Sequence, residues 1–75
     1  MVSKYPVANY LFKFRSKNNL TIRALAVLSG VSKSEIGRIE NGQTLPRVDK
    51  AMLIAKVLNT DIYDIFPLNG EKLNE

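Results

Sequence analysis

The stretch SGVSKSEIGRIENGQTLP, from Ser29 to Pro46, sets the terms for the whole chain. Two small-residue breaks, Ser29-Gly30 and Asn41-Gly42, bracket about two turns of helix. Ser32-Lys33-Ser34-Glu35 fits the capping-box pattern, with Glu35 placed to reach back to the Ser32 amide. Asn41-Gly42 closes the helix. The helix between holds only two strongly apolar residues, Ile36 and Ile39. With Ile36 at zero on a helical wheel, Ile39 falls at about −60° and Glu40 at about +40°, so the core side centres on the isoleucines. The opposite side carries Ser34, Arg38 and Asn41, with Gly37 and Lys33 on its flank. Such a face is short-chained and polar, with two long cationic arms, and suits entry into a groove. Arg and Lys donate to guanine O6 and N7, and a helix start favours a nearby phosphate. Gly37 costs about 1 kcal/mol relative to Ala in mid-helix. It reads either as a point of close approach or as a tolerated exposed glycine.

Outward from this stretch the punctuation divides the chain into five helical segments. Pro6 suits a first helical turn, and Val7, Tyr10, Leu11 and Phe14 follow as one apolar stripe. Asn18-Asn19 stops that segment. Thr21 is the N-cap of a second segment, Ile22 to Ser29, with Leu25, Ala26 and Leu28 as core candidates. The third runs from its Ser32 cap to Asn41. The fourth, Val48 to Leu58, is expected to turn Val48, Ala51, Met52, Ala55 and Leu58 inward. Asn59 ends it, and Asp61 or Thr60 caps a last short segment containing Ile62, Ile65 and Phe66, which Pro67 blocks. No segment sustains strand alternation. The expected fold is all-α: one domain over residues 1–75, with five helices packed over a core spanning 6–67, a short N-terminal arm and a polar C-terminal tail.

Composition narrows the function. The chain has 75 residues, no cysteine and no histidine, which removes thiolate chemistry, the commonest general base and the commonest zinc ligands. Asp61 and Asp64, about one turn apart, make a poor metal site without them. No credible nucleophile–base pair or phosphate-cradling glycine loop is present, so an enzyme is not expected, and neither a cofactor nor a metal is implied. At 45% hydrophobic residues the chain is globular rather than disordered. No apolar run approaches the ~20 residues of a membrane span. MVSKYPVANYLFKF lacks a signal-peptide pattern, so a cytoplasmic protein with no membrane partner is expected. The net charge is +4, and no acidic residue precedes Glu35, whereas Lys4, Lys13, Arg15, Lys17, Arg23 and Lys33 do. A basic half of this kind suits a polyanionic partner. Tyr10 and Phe14 sit at core spacing rather than forming a stacking platform for single strands.

Leu25-Ala26, Ser29-Gly30-Val31-Ser32, Ile36, Ile39-Glu40-Asn41-Gly42, Pro46, Ala55, Leu58 and Ile65-Phe66 together resemble the lambda repressor and Cro type, or XRE-like, helix-turn-helix family. The resemblance covers about Val7 to Phe66. It implies a lambda-repressor-like bundle whose second and third helices form the helix-turn-helix, with the third in the major groove of double-stranded DNA. Lys33, Ser34 and Arg38 match the family's base-contacting positions, on the face the wheel selects independently. Ser32 borders them. Asn41 and the loop through Gln43 and Thr44 match positions that touch the phosphate backbone. Relatives commonly carry Gln where this chain has Ile22, so the contact there falls back on backbone amides beside Thr21 and on Arg23. Arg15 and Glu40 match a partly buried ion pair joining the first helix to the third. Ile22, Val27 and Leu53 stand where relatives are usually polar, as exposed aliphatics or as a slightly different core.

The function expected from this resemblance is sequence-specific DNA binding in transcriptional regulation, by a repressor or autoregulator acting as a homodimer on a palindromic operator. Ile62, Tyr63, Phe66 and Leu68 are the dimer candidates. The alternative keeps the fold but turns it on a protein partner, as an interaction module or an antitoxin.

Overall fold

The computed structural model describes residues 9–67, and five helices occur among them. They are α1 (Leu11–Lys17), α2 (Ile22–Ser29), α3 (Lys33–Glu40), α4 (Val48–Leu58) and α5 (Ile62–Ile65). No strand occurs among the described residues. The protein is all-α. α2 packs on both α3 and α4, α4 on α5, and α1 on α3. No helix of the described residues is long and apolar enough to cross a membrane.

Local chemistry fixes the breaks. The Thr21 hydroxyl accepts from the Ala24 amide at 3.0 Å and that of Ser32 from the Glu35 amide at 3.1 Å. Asp61, rather than Thr60, caps α5 by accepting from the Tyr63 amide at 2.8 Å. Helices α1 and α4 are followed by residues with positive φ at Asn19 (57°) and Asn59 (55°). Asn is among the few non-glycine residues that visit this region readily. Asn18 adds a side-chain bond, its Nδ2 donating to the Phe14 carbonyl at 2.8 Å.

One core gathers Leu11, Leu25, Val31, Ile36, Ile39, Ile54, Ala55, Leu58 and Ile65, with Phe14, Leu20, Ile22, Ala26, Val57, Ile62 and Phe66 packed at its edge. Three expectations are corrected here. Leu28, Val48 and Met52 do not face inward: they are 60%, 70% and 59% exposed. Helix α4 instead buries Ala51, Ile54, Ala55 and Leu58, an arc rotated away from Val48 and Met52 and toward Ile54. Ile22 is half-buried against the core rather than free, while Val27 and Leu53 are exposed.

Among the described residues the first helix begins at Leu11, so Tyr10 of the expected stripe precedes it. The Asn9 side chain takes the Leu11 amide at 2.9 Å, and the Tyr10 amide donates to the Ile65 carbonyl at 2.8 Å, so both residues are held outside the helix. Pro6 and Val7 lie outside the described residues.

Truncating Ile54 to Ala should cost ~2–5 kcal/mol, since it empties a fully enclosed site. Met52→Ala should stay within roughly 0.5 kcal/mol. Urea unfolding of both variants measures the difference, and equal losses would contradict this orientation of α4.

Candidate nucleic-acid interface

The turn between α2 and α3 uses each of its residues. Ser29 is buried, and its hydroxyl accepts from the Val31 amide at 3.2 Å. Gly30 takes φ 78° as the C-cap of α2, with its amide on the Ala26 carbonyl at 2.9 Å. A Cβ there would meet no atom within 4 Å, so the backbone conformation and not space calls for glycine. Val31 is buried in the core and pins the turn. Ser32 then opens α3. A helix, a glycine turn anchored by a buried valine, and a second short helix packed on the first constitute a helix-turn-helix.

At its far end α3 closes on Asn41 and Gly42. Gly42 takes φ 77°, the Gly42 amide reaches the Ile39 carbonyl at 3.0 Å and the Gln43 amide reaches the Arg38 carbonyl at 2.9 Å. This tight reversal carries the chain off the helix end into the loop of Gln43 and Thr44.

Helix α3 is anchored by polar ties as well as by Ile36 and Ile39. Arg15 grips Glu40 through two nitrogens: Nε donates to Oε2, and Nη2 to Oε1 at 3.1 Å. Arg15 Nη1 donates to the Leu20 carbonyl at 2.8 Å. Both side chains are largely withdrawn from solvent, 13% and 9% exposed. The Glu40 hydrogen bond raises the Arg15 pKa further above its already high ordinary value, against the opposing effect of burial, so the guanidinium is permanently charged. Asn9 Nδ2 donates to the Ile39 carbonyl at 2.8 Å. At the near end, Lys50 on α4 donates to Glu35 Oε1 at 2.8 Å. The Glu35 carboxylate is thus engaged by Lys50, in place of the capping-box reach back to the Ser32 amide.

These ties leave one face of α3 to solvent. Lys33, Ser34 and Arg38 are exposed along it, and Ser32 and Asn41 are exposed at its two ends. Thr21, Ile22, Arg23, Lys33, Ser34 and Arg15 line an open cleft of about 600 Å³, which brings the starts of α2 and α3 together. Gln43 is exposed and Thr44 half-buried beyond the other end of α3. Eight helical residues span roughly 12 Å, comparable to the width of the major groove. Sequence reasoning singled out neither Lys50 nor Asn9, because their partners lie 15 and 30 positions away with no local signature. Among the described residues, no group of three or more His, Cys, Asp or Glu side chains could hold a metal ion.

Ile62, Tyr63 and Phe66 lie elsewhere, along an apolar groove of about 370 Å³ completed by Leu45, Pro46, Val48, Ala51 and Met52. Leu68 is outside the described residues.

The architecture defines a helix-turn-helix protein, and comparison with known proteins agrees. The helix-turn-helix family HTH_3 matches residues 11–65. Two uncharacterized HTH-type transcriptional regulators of Archaeoglobus fulgidus are similar: one is 40% identical over 63 residues, covering 84% of this chain and 89% of the relative. The other is 36% identical over 61 residues, covering 81% and 87%. A crystal structure of an HTH_3 family transcriptional regulator from Vibrio cholerae superposes with TM-score 0.73 at 33% identity. It matches 93% of this chain, which spans 39% of that longer one. The chain belongs to the HTH_3 helix-turn-helix family, a DNA-binding and non-enzymatic class.

Two substitutions separate scaffold from surface. Glu40→Ala should destabilise the fold by about 1–3 kcal/mol, because it leaves the Arg15 guanidinium withdrawn from water and short of acceptors; an unchanged melting temperature would refute that role. Gly37 has open space where a Cβ would stand, so Gly37→Ala should stabilise the free protein by about 0.5–1 kcal/mol. If stability rises while duplex affinity falls, Gly37 serves close approach to the groove; unchanged affinity makes it a tolerated mid-helix glycine.

Proposed function

We propose that this DNA-binding transcriptional regulator recognises a specific double-stranded sequence, as a repressor or autoregulator, with α3 in the major groove. The observation that carries the reading is the form of α3. Its apolar side is consumed by the core and its ends are fixed by caps and ion pairs, while Lys33, Ser34 and Arg38 stand exposed on the remaining face. In this reading Arg38 and Lys33 donate to base edges, and Ser34 adapts as donor or acceptor. Thr21, Arg23, Ser32, Asn41, Gln43 and Thr44 meet the phosphate backbone at the two ends of the helix and set its register. The work is binding, performed by occupying a site and excluding other proteins from it.

A palindromic operator would require a two-fold dimer, whose half-site spacing follows from the protein symmetry. Ile62, Tyr63, Phe66 and Leu68 remain the proposed dimer residues. The groove that holds the first three supports this: Val48, Met52 and Tyr63 around it are large, apolar and exposed together, as an interface requires.

A reading directed at a protein partner, an antitoxin included, draws on Val27 and Leu53, which are 76% and 47% exposed. The two readings differ in salt behaviour, because phosphate contacts make affinity fall steeply as salt rises.

Selection from a random duplex library, followed by a salt titration of the retained pool, tests the proposal. The expected result is an enriched palindrome bound with a steep salt dependence. On that duplex Arg38→Ala should lose ~1–3 kcal/mol and relax preference at one base position. Equal losses on enriched and mixed-sequence DNA would reassign Arg38 to a phosphate. No enrichment, with weak binding abolished by modest salt, would favour the protein partner.

A further inference from the structure

Helix α3 carries two cations, Lys33 and Arg38, and two carboxylates, Glu35 and Glu40. Taken alone it is neutral, which is a poor charge for a helix meant to lie between two phosphate strands. The fold changes that. Glu40 is withdrawn and gripped by Arg15 from α1. Glu35, on the first turn and next in sequence to Ser34, has its Oε1 at 2.8 Å from Lys50 Nζ of α4. Both acids are thus neutralised by cations from outside the helix, and the exposed face offers Lys33 and Arg38 without an opposing charge.

We infer that Lys50 is a positioning residue of the DNA-binding face: it holds the Glu35 carboxylate and screens it from the phosphates that α3 approaches. The inference rests on the DNA-binding reading above. Two features favour screening over plain scaffolding. The pair is only partly shielded, with 38% of the Lys50 and 21% of the Glu35 side chain exposed, so its contribution to stability is small. Its place is the first turn of α3, beside Lys33 and Ser34. An unscreened carboxylate there would stand within a Debye length of the backbone, where like-charge repulsion acts. Lys50 does not also need to touch DNA for this, since it acts through Glu35.

The test is a double-mutant cycle with Glu35→Gln, Lys50→Met and both together, in the full chain. The probe is a mixed-sequence duplex, because screening is independent of base sequence. Melting temperatures are recorded alongside to confirm that each variant is folded at the binding temperature. Lys50→Met should weaken binding by roughly three- to tenfold at low salt, with the loss narrowing as salt rises. Glu35→Gln alone should tighten binding at low salt, because it leaves the Lys50 charge unpaired near the phosphates, and the double variant should return close to wild type. A merely structural pair would move melting temperature and leave the affinity of the folded protein unchanged.

A double variant as weak as Lys50→Met, with its salt slope reduced by about 0.9, would make Lys50 a direct phosphate contact and overturn the inference. An unchanged Lys50→Met affinity would overturn it as well. If wild type binds the duplex and the cycle is flat, only this inference fails. If wild type binds no duplex at low salt, the DNA-binding reading fails and takes the inference with it.

Discussion

The guanidinium of Arg15 stands where three pieces of chain meet: α1, which carries it; the Leu20 carbonyl just before α2; and the Glu40 carboxylate at the end of α3. Helix α3 has eight residues and buries only Ile36 and Ile39 among its side chains. Two such side chains contribute roughly 1.5–3 kcal/mol each, whereas ordering each backbone residue costs roughly 1–2 kcal/mol. Apolar contact alone neither holds the helix nor fixes its rotation about its own axis. The polar ties do the second task. Arg15 binds Glu40 from two nitrogens, and Asn9 binds the neighbouring Ile39 carbonyl. A partly buried ion pair contributes little net stability, because desolvation offsets most of the Coulomb attraction. Its geometry is directional, and direction is what fixes which face of α3 meets solvent.

The breaks in this fold were legible because they are written in local chemistry. Gly30 and Gly42 take positive φ, as do Asn19 and Asn59, and Thr21, Ser32 and Asp61 cap the helices that follow them. Each of these is decided within a few residues, so the sequence window contains its cause. The orientation of α4 was not legible in the same way. Eight of the residues in VDKAMLIAKVL are apolar, so the helical wheel is nearly apolar all round and several arcs satisfy the spacing. The choice between Met52 and Ile54 is made by α2 and α5, against which α4 packs. The start of α1 shows the same limit. Tyr10 fits the apolar stripe of the helix, but its amide is taken by Ile65, 55 positions later, and no local pattern contains that bond.

The candidate site divides along the same line. Lys33, Ser34 and Arg38 follow from the two isoleucines, since a two-turn helix with a known inner side has a known outer side. The partners that give this face its charge do not follow. Glu35 reads locally as a cap, and an acid near a helix start needs no other explanation. Only the fold, which packs α3 and α4 both on α2, brings Lys50 to it. Charge counted along the sequence therefore describes α3 as neutral, while charge counted by the pairs actually formed leaves its exposed face basic.

The residues misplaced by the helical wheel return in another role. Val48 and Met52 stand at core spacing in the sequence and line the groove with Ile62, Tyr63 and Phe66. A helix apolar on more than one side has more than one surface to shield from water, and among the described residues the core takes the side of Ile54, Ala55 and Leu58. The second surface runs from α4 onto α5, so it joins the two elements that close the fold rather than the two that form the helix-turn-helix. Two copies meeting there would shield apolar area on α4 and α5 and leave the polar side chains of α3 unspent. Such an arrangement would give each apolar stripe of α4 a partner: Ile54 and Leu58 meet the chain's own core, and Val48 and Met52 would meet a second copy.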